Sequence, residues 1–232
     1  MTKTVTDSPT PPLGRLRLMQ LVSPALPIGA FTYSQGLEWA VEAGWVHDTE
    51  TLGDWLEGLM DDGLAQLELP ILQRLYTACE RDDAEATARW GEQLYASRET
   101  RELRAEERNR ARALITLLVD LGIPRAAEWR EQLAHCQAAP FALAALHWQI
   151  GIEDCLLGFA WGWLENQIAA AVKLVPLGQT DGQRMQLRLA GRLPATVERA
   201  MTVEDQDIGA GAPALAIASA CHETQYTRLF RS

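Results

Sequence analysis

The 232 residues suffice for one large domain or two small ones and for a substantial buried core. With 47% hydrophobic and 22% charged residues, the composition is that of an ordinary globular chain. Lys and Arg number 21 against 31 Asp and Glu, a net charge of −10, which disfavours nucleic acid or an anionic membrane as partner because phosphate binding needs clustered cations.

Residues 1–12, MTKTVTDSPTPP, hold three prolines and no apolar run and read as a disordered lead-in rather than a secretory signal. Residues 13–22 suit a short helix, ended by the residue before Pro24. Two prolines and a glycine make residues 23–30 an ordered loop. Thr32 and Gln35 have the spacing of a capping box and predict a helix over 33–43, stopped at Gly44. Asp48 or Thr49 caps the next helix, through Leu52, Trp55, Leu56 and Leu59. Pro70 fits the first turn of another that runs to Cys79. Helices over 84–97 and 100–121 follow, and Gly122 with Pro124 breaks the chain. Further helices are expected near 126–136, 141–150 and 154–173. Residues 184–189, RMQLRL, alternate like a strand, but one isolated strand has nothing to pair with and is read as helix.

The longest apolar stretch, residues 155–164, is about half of the roughly 20 residues that cross a bilayer, so it is a buried helix and not a membrane span. The expectation is an all-α fold: one multi-helix bundle domain over 13–232.

The helix over 100–121 resolves into faces. Leu103, Ala111, Leu114, Ile115 and Leu118 share one side, and Arg101, Arg104, Arg108 and Arg112 form a neighbouring stripe. Glu99, Glu102 and Glu106 gather away from it. The stripe reads either as a solvated amphipathic face or as a basic docking strip on an acidic protein.

No catalytic or cofactor-binding constellation stands out: HExxH, GxSxG and GxxxxGK[ST] are absent. The segment 209–213, GAGAP, follows acidic residues and lacks a lysine, so it reads as a loop before a last helix with Pro213 in its first turn. Cys79, Cys136, Cys155 and Cys221 are scattered without a CxxC pair, as suits a reduced cytoplasmic protein without disulfides. The neighbours His135–Cys136 and Cys221–His222 point about 100° apart on a helix and have no second ligand pair, so no metal site is assigned. Eight tryptophans are many for this length; most are expected in the core and a minority at a partner surface.

Three separated segments resemble the urease accessory protein F (UreF) family. They are LMQLVSPALPIGAFTYSQGLEWAVEAG (18–44), WLENQIAAAVKLVPLGQTDGQ (163–183) and HETQYTRLFRS (222–232). The resemblance implies a helical, dimeric, non-catalytic accessory protein. It would act with the accessory proteins D (also called H) and G, a GTPase, on apo-urease, with nickel and a carbamylated lysine installed in urease itself. It implies no cofactor in this chain.

Within the matched segments, Lys173 ends a nearly all-apolar helix, where a cation either complements the helix dipole or meets a partner. Tyr226, Arg228, Phe230 and Arg231 mix aromatic anchors with guanidinium groups, as interfaces do, and the segment 222–232 is expected to be ordered by a partner unless it packs at home. Ser34, Gln35 and Glu38 serve either the loop's own shape or a partner. The leading reading is an interaction scaffold. Two alternatives are a GTPase regulator lending an Arg in trans, from the 101–112 stripe, Arg228 or Arg231, and a nickel-carrying metallochaperone, which the ligand spacing argues against.

Overall fold

A computed structural model describes residues 9–209 and 211–232. Helices α1 (Pro12–Leu21), α2 (Leu37–Glu42) and α3 (Thr49–Leu59) come first. A π-helical segment (Met60–Glu68) then leads without a break into α4 (Leu69–Glu80). There follow α5 (Ala84–Ala96), α6 (Arg101–Asp120), α7 (Pro124–Glu128), α8 (Ala138–His147) and α9 (Ile152–Leu174). The order ends with α10 (Gln179–Ala190), α11 (Leu193–Met201) and α12 (Pro213–His222). No strand occurs among the described residues, and 184–189 lies within α10. The fold is all-α.

Local chemistry explains most boundaries. Asp48 caps α3 by accepting from Thr51 N at 2.8 Å, and Thr100 caps α6 by accepting from Leu103 N at 3.2 Å. Gly44, at φ 74°, supplies the left-handed residue that stops α2. The expected Thr32–Gln35 capping box does not form. Thr32 Oγ1 donates to Gly29 O within a 3-10 turn (Ala30–Thr32), Gln35 turns its side chain inward, and α2 starts four residues later than expected, behind Gly36 at φ 78°.

The helix expected over 126–136 stops after α7, and its remainder is a chain of turns. The helices flanking residue 60 join where a break was expected. Pro70 has no N–H to give Gln66 O, and Gly209 N fills that place at 3.1 Å, so the proline is accommodated inside a continuous rod.

The core forms around α4 and α8. Leu69, Ile71, Leu72 and Leu75 of α4 are fully buried, and so are Ala138, Ala139, Ala142, Ala144 and Ala145 of α8. Such a run of small side chains lets the two rods approach closely. Helix α9 packs on α10 and α11 and carries α1 on its outer side, where Leu18 sits over Gly158.

Of the segment expected to be disordered, residues 1–8 lie outside the described ones. Thr10 is buried, hydrogen-bonded to Asp154 and accepting from Gly151 N at 2.9 Å.

Candidate functional site

The three matched segments, far apart in sequence, meet on one side of the bundle. Glu38, on the first turn of α2, is buried, and its carboxylate takes three partners. Oε1 accepts from Leu229 N at 2.6 Å, Oε2 accepts from Phe230 N at 2.9 Å, and His222 Nε2 lies 3.1 Å from Oε2. His222 itself is fully buried, and its Nδ1 stands 2.7 Å from Glu102 Oε2 on α6. Both ring nitrogens face carboxylates. Glu102 also accepts from Arg228 Nη1 at 2.7 Å. The ring thus bridges two carboxylates that themselves hold the segment 228–230.

Ser34 continues the clamp. Its N–H donates to Ser232 O at 2.8 Å, its hydroxyl donates to the same oxygen, and it accepts from Glu38 N at 3.3 Å. Arg231 N donates to Thr32 O at 2.8 Å, and Ser232 Oγ donates to Glu106 Oε2 at 3.1 Å.

Gln35 sits at φ 52°, a backbone region that non-glycine residues rarely adopt. Its amide explains how that conformation is held. Nε2 donates to Glu106 Oε1 at 3.0 Å, while Oε1 accepts from Trp163 Nε1 at 3.0 Å and Gln167 Nε2 at 3.2 Å. Burial pushes the Glu106 carboxyl above the usual carboxylate range, against the opposing pull of Arg110. Deeper still, Arg98 is sandwiched between Glu107 at 2.6 Å and Glu68 of the π segment at 3.0 Å.

The residues singled out in sequence therefore divide. Ser34, Gln35 and Glu38 are buried and bind the chain's own side chains and the segment 229–232. Phe230 is buried, and the Lys173 ammonium lies 5.5 Å from its ring centre, which ties the end of α9 to the same segment. Tyr226, Arg228, Leu229 and Arg231 face outward, as does Lys173. Sequence reasoning missed Glu102, Glu106 and His222, which join the clamp. The spacing of Glu102 and Glu106, one turn apart on the side of α6 away from the arginine stripe, was the available signal.

Among the described residues no group of three or more His, Cys, Asp or Glu side chains converges to hold a metal ion. His222 does not qualify, because its two nitrogens point to opposite carboxylates. Burial pushes the Cys79 thiol up to about 11 and those of Cys136 and Cys155 further, which leaves them inert. No helix among the described residues is long and apolar enough to cross a membrane.

The family model described as UreF matches residues 46–190. The chain belongs to the UreF family. It is 52% identical over 224 residues to the urease accessory protein UreF of Alcanivorax borkumensis, covering 93% of this chain and 97% of that one. It is 51% identical over 220 residues to the protein of the same description from Pseudomonas putida strain W619, covering 95% and 98%. The Chromohalobacter salexigens protein is 51% identical over 222 residues, covering 95% and 96%. The span of the UreF family match takes in Lys173 and the whole of α6 with Glu102 and Glu106, while Ser34, Glu38 and the segment 222–232 lie on either side of it.

Proposed function

We propose that this chain is a non-catalytic, cytoplasmic urease accessory protein. It works as a scaffold that binds the accessory protein D/H and the GTPase G and helps deliver nickel into apo-urease, itself as a homodimer. The observation that carries the reading is membership of the UreF family over most of the chain, among relatives described as urease accessory proteins. The geometry supports it. The clamp spends its buried polar groups on fixing the segment 227–232, which presents Arg228, Leu229 and Arg231, next to the exposed Tyr226 and Lys173, as a mixed aromatic and cationic surface of the kind interfaces use. The α1 side chains Leu13, Leu16 and Met19, all more than 60% exposed, form a second apolar stripe suited to a protein partner or a second copy.

A second reading, that the chain lends an arginine to the GTPase, is favoured by exposed guanidinium groups on α6 and at Arg231 that form no ion pair among the described residues. GTP turnover by the partner, with and without this chain, separates the two: an acceleration abolished by one Arg→Ala substitution supports the second.

The direct test reconstitutes apo-urease with its accessory proteins, nickel and bicarbonate, adding or omitting this chain. Urease activity is expected to depend on the chain, and Lys173→Ala is expected to weaken co-purification with the accessory proteins. Full activation without the chain would overturn the proposal.

A further inference from the structure

Helix α6 carries charge that its own fold does not use. At 100° per residue, Arg101, Arg104, Arg108 and Arg112 project within an arc of about 80°. Arg101, Arg108 and Arg112 are exposed and Arg104 is half-buried. Among the described residues none of the four lies in an ion pair, nor does Arg231, whereas their neighbours Arg98 and Arg110 are both paired.

The stripe works against its own helix. Arg104–Arg108 and Arg108–Arg112 are like charges four residues apart, and each pair weakens the helix. Arg101 occupies the first helical position, where the dipole disfavours a cation.

The chain fixes two of these groups without neutralising them. Arg104 Nη1 donates to Arg98 O at 2.6 Å, and the Arg108 guanidinium stacks 4.1 Å from the Tyr95 ring centre. Holding the planar forks in place lowers the entropy lost when they bind. The segment 228–232 runs along the other side of α6, from Glu102 to Glu106, and leaves the stripe uncovered. A protein of net charge −10 thus turns one strongly basic face outward.

We propose that the arginine stripe of α6 is a docking surface for an acidic protein surface. The stripe is about 16 Å long at 1.5 Å per residue, the scale of one acidic helix face on a partner, with guanidinium forks spaced by about a turn to meet carboxylates in pairs. An extended polyanion such as RNA would overrun the stripe onto the acidic remainder of the chain, whereas a compact acidic protein patch meets the stripe alone and is the occupant. This inference adds a surface and a partner charge to the accessory-protein reading and does not depend on it.

The full chain titrated with poly-L-glutamate, a generic acidic polypeptide, tests it. The triple variant Arg104→Gln/Arg108→Gln/Arg112→Gln is expected to bind about tenfold or more weakly at low salt. The difference should shrink as salt rises and the Debye length falls to a few ångströms. A control, Arg81→Gln/Arg184→Gln, alters exposed arginines elsewhere and is expected to change binding by less than about twofold. The triple variant loses like-charge repulsion together with the Arg104–Arg98 O bond and the Arg108–Tyr95 contact, so its thermal midpoint is expected to change little, and binding is compared at a temperature where both proteins are folded.

Equal binding by wild type and triple variant overturns the proposal, as does an equal loss in the control. A preference for oligothymidylate over polyglutamate points to nucleic acid and overturns it too. Self-association that the triple variant abolishes makes a second copy the occupant and likewise overturns it. Urease activation is a separate readout, so failure of the accessory-protein reading leaves this result standing.

Discussion

Glu38 bears more of the candidate site than any other single side chain. It is 7% exposed and satisfies two main-chain N–H groups and one imidazole nitrogen. Removing the carboxylate strands all three donors in a buried setting and leaves His222 with one carboxylate. Glu38→Ala is therefore expected to destabilise the chain by about 3 kcal/mol, read by urea unfolding. Glu38→Gln keeps one acceptor oxygen and should lose less. If the alanine variant unfolds at the wild-type urea concentration, the clamp does not hold the segment. From sequence, Glu38 was visible as a candidate but its role was not. A glutamate at the start of a helix looks the same whether its oxygens face water or a distant segment.

At the scale of elements, the decisive contact is that of α2 with α12, because it seats His222 beside Glu38. Gly36 permits it. Its φ of 78° suits glycine, and a Cβ there would stand 3.1 Å from Ala218 Cβ and 3.2 Å from Ser219 N. Gly36→Ala combines backbone strain with pressure on the main chain of α12, and is expected to cost about 2–4 kcal/mol in equilibrium unfolding. The same substitution at Gly44, also at positive φ but with nothing within 4 Å of its Cβ, should cost only the backbone part, about 1 kcal/mol. Equal effects at the two positions would show that packing on α12 contributes nothing. The difference between Gly36 and Gly44 is invisible in sequence, where each is a glycine flanking a helix.

Across the whole molecule, the segment 227–232 fastens α2, α6 and α9 to one another through Glu38, Glu102, Glu106 and Lys173. Deleting it exposes the Phe230 seat and leaves the Glu38 and Glu106 carboxylates short of donors. Loss of about 3 kcal/mol corresponds to a fall of roughly 6–12 °C in thermal midpoint for a chain of this size. That fall is expected by calorimetry, with helical circular dichroism at 20 °C nearly unchanged because α1–α12 remain. An unchanged midpoint would mean that the segment docks without stabilising the bundle.

What the sequence determined by itself is local. Proline and glycine placement, the Asp48 and Thr100 caps and the apolar period of α6 set most helices, since each signal acts within a turn or two of chain. The family too was legible, from three matched segments. Tertiary structure decided the rest. It shifted the start of α2, because the Gln35 amide is drawn to Glu106, Trp163 and Gln167 rather than to a cap. It fused α3 to α4 through a π segment, because Gly209 takes the carbonyl that Pro70 leaves free. It drew Ser34, Gln35 and Glu38 inward against a segment nearly two hundred residues later. Hydrogen bonds across such separations follow from how the helices pack, and no periodicity along the chain encodes which distant partner a buried carboxylate will meet.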